Sequence, residues 1–542
     1  MLLLCGCAPI TAPEGTTGNQ VDFTPVSDQT QEIPYESRFD TQTQITLNGD
    51  AVDVSGDGVS LSKDIEYYQD LTAYESGNPY GEGEQWERHT QEEAAAHLVV
   101  NIKKPGAYLV KGTLTKGQIR VDLGEDAYGD SAQVVELILE DASITCTVGP
   151  AVLFRNVYEC DTDWSVETAK PQVDTTNAGA NLILRGANVV NGSHVAKIFK
   201  DQQEEKKLLK QDGAIYSYMS MNVFGPGSLD LTADNEGLDT ELHLTINGGQ
   251  IAICSQNDGI NTNEDGVSVT TIQAGDVHII AGLGQEGDGI DSNGYLVING
   301  GTVVSSANPA ADAGLDSDLG SYIHGGYVIA LGSTMDWAET DSEQVTMNLQ
   351  MASYQPSDSA VMVTDQNGLV RFAYDPSEDE VLKGNQRKYM GAVISTPNFR
   401  VGDIYRVYLD GTVTGAEVGG MYDVTTVTAY NDGTQMAYTG TDVRRGPGGM
   451  GGFKLDFDGQ MSQRPGEGQP PEGIEFSEGM EPLEGMSPPD GMEFPEGMTP
   501  PDGFTPGQMP GQADETEKTG APNSEFYMQD KVNFFSGLTP VQ

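Results

Sequence analysis

The middle of the chain repeats a pattern in which apolar and polar residues alternate over a short segment that ends in a pair of small residues. Such alternation is typical of half-buried β-strands, and no helical periodicity accompanies it. From residue 242 the first small residue of each pair is Gly248, Ala274, Gly300 and Gly325. A period of about 25 residues with two or three short strands per repeat predicts an all-β solenoid.

Less regular repeats upstream extend this solenoid over residues 41–335, with inserts near 64–97 and 192–212. Residues 342–437 have unequal strands with turn signals and are predicted to form a small antiparallel β domain that covers the end of the solenoid. Residues 438–542 are rich in Gly, Pro, Met and Glu, a composition that does not bury a core, so we expect a disordered tail.

A second motif follows the repeat: an acidic or small residue, then Gly, Leu or Ile, and Asp or Asn. It occurs at 236–239, 258–261, 288–291 and 313–316. Equivalent positions in successive solenoid turns lie roughly 4.8 Å apart. The last motif residues are therefore predicted to form one row of oxygen ligands, which we call the acidic row: Asp239, Asn261, Asp291 and Asp316. Asp258 and Asp288 stand beside this row, and Asp318 follows it.

Charge makes this row a candidate cation site. The chain has 28 Lys and Arg against 82 Asp and Glu, a net charge of −54, and residues 211–370 contain no Lys or Arg. Stacked carboxylates repel each other by several kcal/mol at an effective dielectric of about 20. All-oxygen ligation favours Ca²⁺ as the compensating cation. The alternative is that these residues are turn formers whose side chains bond nearby backbone N–H groups.

The same charge excludes some partners and leaves other roles open. A chain this acidic repels nucleic acid and anionic lipid headgroups, although the charge also serves solubility. His243, His278 and His324 form no triad with Ser or Cys, and no phosphate-binding loop occurs. A tyrosine-rich insertion that ends at Trp86 is either a sugar-stacking platform or a packed loop; its tyrosines are Tyr67, Tyr68, Tyr74 and Tyr80.

The N-terminus indicates a surface protein. Residues 4–7 resemble a bacterial lipobox, so residues 1–7 are interpreted as the remainder of a signal peptide, Cys7 as the lipidated residue and 8–40 as a polar tether. This places the protein outside the cell, anchored to the bacterial membrane. Cys146 and Cys160 either pair or remain free thiols.

Several segments together resemble a bacterial family of carbohydrate-binding domain-containing proteins. They are 45–49, 106–114, 214–217, 257–261, 287–295 and 298–303, and the resemblance covers about residues 45–335. The resemblance implies a right-handed parallel β-helix, close to family-nine pectate lyases, that binds Ca²⁺ and plant cell-wall polysaccharide, either polygalacturonate-like or cellulose-like.

Three functions are compatible with these features. The first is calcium-dependent, non-catalytic binding of acidic polysaccharide at the cell surface. The second is a structural surface protein or adhesin that calcium stiffens. The third is a pectate-lyase-like enzyme, which needs a Lys or Arg base beside the calcium; residues 211–370 provide none. No protein partner is indicated.

Overall fold

The computed structural model describes residues 33–68, 87–161, 164–196, 210–333, 336–379, 384–385, 387–441 and 521–541. These residues form 36 strands, one short helix α1 (Gln91–Ala95) and a 3₁₀ turn (Glu125–Gly129). Helix α1 begins where Thr90 and Glu93 form a reciprocal capping box. The prediction of an all-β fold is confirmed.

The strands are numbered in chain order. The first ten are β1 Gln42–Gly49, β2 Ala51–Ser55, β3 Val59–Ser62, β4 Leu98–Ile102, β5 Gly106–Leu114, β6 Gly117–Asp122, β7 Val135–Thr145, β8 Val152–Asn156, β9 Ala180–Arg185 and β10 Ala187–Gly192. The next fourteen are β11 Gly213–Ser217, β12 Met221–Phe224, β13 Ser228–Ala233, β14 Glu236–Thr240, β15 Leu244–Ile246, β16 Gln250–Ser255, β17 Ile260–Thr262, β18 Val269–Ile272, β19 Asp276–Ile280, β20 Ile290–Ser292, β21 Tyr295–Ile298, β22 Thr302–Ser306, β23 Gly320–Ile323 and β24 Tyr327–Gly332. The last twelve are β25 Thr346–Gln355, β26 Val361–Asp365, β27 Val370–Tyr374, β28 Tyr389–Ser395, β29 Ile404–Leu409, β30 Thr412–Thr414, β31 Glu417–Val418, β32 Met421–Tyr422, β33 Ala429–Asn431, β34 Thr434–Ala437, β35 Phe526–Tyr527 and β36 Val532–Pro540.

Strands from successive repeats pair in parallel and form three ladders. The first ladder runs β4, β6, β8, β11, β14, β17 and β20. The second runs β7, β9, β12, β15, β18, β21 and β23. The third starts at the end of β7 and runs β10, β13, β16, β19, β22 and β24.

All three ladders turn apolar side chains toward one core. Leu238 of the first ladder, Leu244 of the second and Ile253 of the third belong to the same buried cluster, and none of the three exposes any surface. Burying such a side chain contributes roughly 1.5–3 kcal/mol. The Leu or Ile of the acidic motif therefore fixes which way its strand faces, and the Asp or Asn after it is turned to the other face.

The C-terminal strands continue from the ladders without a break in pairing. Strand β28 pairs antiparallel with β24, the last strand of the third ladder, and also with β25. Strand β26 lies between β27 and β29, antiparallel to both. Hydrogen bonds thus cross the boundary predicted between residues 335 and 342.

One sequence prediction is wrong in this region. Residues 532–540, assigned to a disordered tail, form β36, which pairs in parallel with β25. Phe535 and Leu538 of this strand are buried. The composition of the whole tail obscured a short apolar segment near its end. The Gly-, Pro- and Met-rich residues 442–520 lie outside the described residues.

Candidate functional site

The acidic row lies along the first ladder. Asp239 pairs with Asn261, and Asn261 pairs with Asp291, in the parallel register of β14, β17 and β20. A further bridge joins Ile290 to Leu315, which sets Asp316 beside Asp291. The four residues that the motif predicted to form a row are therefore stacked in that order.

Close backbone contact explains the glycine of the motif. A Cβ added at Gly237 would lie 2.4 Å from the carbonyl oxygen of Gly259, and one added at Gly259 would lie 2.6 Å from that of Gly289. Neither gap admits a side chain, because backbone oxygens cannot move aside. The glycines let successive repeats approach closely, and this brings the neighbouring acidic residues together.

The strongest concentration of charge is a carboxylate cluster formed by Asp212, Glu236 and Asp239. One oxygen from each of these buried residues lies within 4.8 Å of the others. Asp239 has no exposed surface. Lys210 places its Nζ 2.5 Å from Asp212 Oδ2 and is the single basic group in contact with the cluster within the described part of the chain. One ammonium does not balance three carboxylates.

Several oxygens in and beside this cluster have no hydrogen-bond partner. They are buried and comprise Glu236 Oε2, Asp239 Oδ2 and Asn261 Oδ1. The other oxygen of Asp239 accepts a hydrogen bond from Asn263 Nδ2 at 2.8 Å, which orients its carboxylate. Burial, together with the charge of Glu236, raises the pKa of Asp239 well above its usual range. Unpaired buried oxygens are costly, so this donor set suits a hard cation.

Further carboxylates extend the negative charge along the ladder. Burial and then the charges of Glu236 and Asp291 raise the pKa of Asp258. Burial and then the charges of Asp316, Asp258 and Asp291 raise the pKa of Asp288. Every member of the acidic row and its two flanking residues thus faces another carboxylate or an unpaired oxygen.

Backbone hydrogen bonds account for part of this arrangement. Asp258 Oδ1 accepts the N–H of Asp288 at 2.7 Å, and Asp288 Oδ1 accepts the N–H of Ala313 at 2.5 Å. Both bonds join successive repeats, so these side chains bond backbone N–H groups as in the alternative interpretation but do not form a turn within one repeat. These bonds use one oxygen of each residue and leave the unpaired oxygens of the carboxylate cluster unexplained.

Sequence reasoning missed three members of this acidic group, Asp212, Glu236 and Asp312, and included one residue at its margin. Glu236 is the first residue of the motif at 236–239 but was not predicted as a ligand. Asp212 precedes Gly213, but Ala214 separates that glycine from the apolar residue, so the motif is one residue longer there. Asp312, which accepts the N–H of Gly287 at 2.9 Å, precedes Ala313 in the same way. The available signal in both places was an Asp followed by Gly or Ala, with one extra residue before the Ile or Leu of the motif. Asp318 lies beyond the row, where its backbone N–H bonds the carbonyl of Ser292.

Other predicted features are only partly visible. Cys7 lies outside the described residues, as do Tyr74, Tyr80 and Trp86. Tyr68 of the same insertion is buried against Val195 and Ala196, which matches the packed-loop alternative at that residue. Cys146 and Cys160 are free thiols. Among the described residues there is no helix of the length and hydropathy that crossing a membrane requires.

Comparison with known proteins identifies the family. A solved structure of a polysaccharide lyase-like protein from C. thermocellum, a gadolinium derivative, is 22% identical, covers 53% of this chain and 93% of its own, and superposes with a TM-score of 0.32. A carbohydrate-binding domain-containing protein of Acetivibrio thermocellus is 29% identical over 155 residues, which are 28% of this chain and 44% of that protein. The chain therefore matches less than half the length of this relative.

A family model described as carbohydrate-binding domain-containing protein matches residues 97–381. This range is more than half of the chain, and it contains the whole acidic row and the carboxylate cluster. The chain belongs to the family of carbohydrate-binding domain-containing proteins.

Proposed function

We propose that this protein binds acidic polysaccharide in a calcium-dependent manner on a right-handed parallel β-helix. Three parallel ladders that share one core support the β-helix, because each repeat contributes one strand to each ladder in turn. The observation that carries the calcium proposal is the set of buried oxygens without hydrogen-bond partners on Glu236, Asp239 and Asn261.

The residues that would hold calcium form two neighbouring groups. The first is the carboxylate cluster with Asn261, and the second comprises Asp258, Asp288, Asp291 and Asp316. Both offer oxygen atoms alone, as Ca²⁺ prefers. Bound calcium would neutralise these carboxylates, which otherwise repel one another. The protein scaffold itself orients them through the glycine contacts and the hydrogen bond from Asn263.

The proposed ligand is an acidic sugar polymer such as a pectic polysaccharide. A chain with a net charge of −54 repels a polyuronate unless cations lie between the two. Calcium bound by these carboxylates would reduce that repulsion, so metal binding and polysaccharide binding are expected to be coupled. The family name supports carbohydrate as the ligand class.

We further propose that the protein binds without cleaving its ligand and that it is held at the cell surface by lipidation of Cys7. Strands β11 to β24 carry no Lys or Arg that could act as the base of an elimination. The lysine that lies beside the carboxylate cluster, Lys210, is held in an ion pair with Asp212. An unsaturated product that absorbs ultraviolet light after incubation with pectate would contradict the non-catalytic role.

Retention on immobilised pectate tests the proposal. The full chain should be retained in calcium and released by a chelator, because the carboxylates then regain their repulsion. Unchanged retention in chelator would contradict calcium dependence. Thermal melting separates binding from simple stiffening: calcium should raise the melting temperature, and oligogalacturonate should raise it further. If the sugar has no effect, the structural role is favoured instead.

A further inference from the structure

A pocket of about 280 Å³ lies between the segment after β8 and the turns that precede β15 and β18. Its polar lining comes from Asp161, Lys170, Asp174 and His243. Ligand pockets usually range from about 300 to 1,000 Å³, so this one suits a single sugar unit rather than a longer oligomer. No residue of the acidic row lines it.

Hydrogen bonds fix the base of the pocket. The buried His243 accepts the backbone N–H of Val269 at Nδ1 over 3.1 Å, so its proton resides on Nε2. That nitrogen lies 3.2 Å from Asp161 Oδ2 and donates to it. The Asp161 carboxylate is therefore held in one orientation while a quarter of its side chain stays exposed. Such a carboxylate is well placed to accept a hydrogen bond from a ligand hydroxyl.

Lys170 gives the pocket a positive charge, which the surrounding strands lack. It is the one basic residue between Arg155 and Arg185, and residues 211–370 contain none. Its side chain is exposed, and no carboxylate of the described residues forms an ion pair with it. In a chain with 82 acidic residues, an unpaired ammonium beside a pocket stands out as the group that would pair with an anionic ligand.

An aromatic side chain adds to this arrangement. Trp164 donates its indole N–H to the carbonyl of Asp161 and leaves 44% of its surface exposed. The indole is thereby fixed next to a pocket residue with part of its ring in solvent. Amphipathic aromatic rings with a tethered polar end are common at binding surfaces.

We propose that this pocket binds one uronate unit of the polysaccharide. In this assignment Lys170 pairs with the sugar carboxylate, and Asp161 and Asp174 accept its hydroxyl groups. The assignment rests on the proposed function and gives acidic-sugar recognition a location separate from the acidic row. A neutral sugar has no group for Lys170 to pair with.

Calorimetric binding of an oligogalacturonate in calcium, with the full chain, tests the assignment. Lys170→Gln should weaken binding at least tenfold relative to the parent. The matched control is Lys116→Gln, which removes another exposed lysine, located before β6, and should bind as the parent does. The methyl-esterified oligomer should bind the parent at least tenfold more weakly than the acidic oligomer does. For Lys170→Gln, esterification should cause little further loss of affinity, because the ion pair is already absent there.

The possible results distinguish failure of the pocket assignment from failure of the proposed function. Equal affinity of Lys170→Gln and Lys116→Gln for the acidic oligomer would overturn the pocket assignment and leave the proposed function intact. A parent chain that binds neither oligomer in calcium would overturn both. Calcium-dependent melting of Lys170→Gln should match that of the parent, which shows that any lost affinity does not come from a folding defect.

Discussion

One row of the first ladder changes its chemistry from one end to the other. Its residues are paired in register from β4 to β20 and then with the segment that bridges to β20. In that order they are Asn101, Arg120, Leu153, Tyr216, Asp239, Asn261, Asp291 and Asp316. At the start the row carries a cation that the protein pairs itself: Arg120 Nη2 lies 2.9 Å from Asp64 Oδ1 and 2.7 Å from Asn101 Oδ1. At the far end, acidic residues stack on one another.

This difference shows how one backbone arrangement serves two purposes. In the early strands, acidic residues have internal partners; Lys103, for example, lies 2.6 Å from Asp122. In the later strands the same parallel stacking holds carboxylates together with Lys210 as the basic side chain in contact with the cluster among the described residues. The first half is electrostatically self-sufficient, and we propose that the second half takes up a cation from solution.

Removal of calcium should therefore affect the two halves unequally. At calcium a thousandfold above its Kd, binding stabilises the folded site by about 4 kcal/mol. Amide hydrogen exchange should show that chelation accelerates exchange in β14 and β17 at least a hundredfold, with far smaller changes in β4 and β6. Equal acceleration of exchange throughout the ladder, or no acceleration, would contradict the proposed difference between the two halves.

A titratable cation beside the acidic half provides a second test. Burial opposes the charging of His194, but its hydrogen bonds to Asp234 and Glu87 outweigh this and raise its pKa to about 10. The stabilisation from a raised pKa is complete below the unfolded pKa, about 6.5, and is lost as pH rises toward 10. We expect a loss on the order of 5 kcal/mol across this window, since one pKa unit corresponds to about 1.4 kcal/mol.

Thermal unfolding of the parent and His194→Gln between pH 6.5 and pH 10 measures this loss. The variant should be less stable than the parent at pH 6.5 and should converge with it near pH 10. Parallel pH profiles for the two proteins would show that the imidazolium contributes nothing.

In the self-sufficient half, Arg120→Met should destabilise the fold by about 2 kcal/mol, because it leaves the buried Asn101 oxygen without its donors. The loss should be the same with and without calcium, as measured by chemical denaturation. Lys104→Met, which breaks the exposed contact with Asp57, is the control and should change little. A calcium-dependent effect of Arg120→Met would mean that the two halves are coupled.

Local signals in the sequence were sufficient for the strand pattern and the acidic row. The repeat spacing reflects parallel strands that pair with the next repeat, so Gln250, Asp276, Thr302 and Tyr327 occur in register, each two residues after the small pair begins. The order of Asp239, Asn261 and Asp291 follows from the same spacing. Both depend on contacts between neighbouring repeats, which a single repeated motif encodes.

Features that depend on distant parts of the chain were not predictable. The burial of Asp239 and its contact with Asp212 depend on how the strand after the 192–212 insert joins the ladder. Strand β36 finds its partner β25 across the whole intervening tail, so composition gave no sign of the pairing. The pocket at Lys170 likewise joins a loop after β8 to turns before β15 and β18.

Calcium titration by calorimetry is the most direct test of the claim that the acidic half of the ladder holds a cation. Asp239→Asn keeps the size of the side chain and removes one charge from the carboxylate cluster. Asp230→Asn removes a carboxylate of the third ladder and is the control. If this claim is correct, the parent and Asp230→Asn should bind calcium equally, and Asp239→Asn should bind it at least tenfold more weakly, a difference of about 1.4 kcal/mol. Equal calcium affinity of Asp239→Asn and the parent would contradict it.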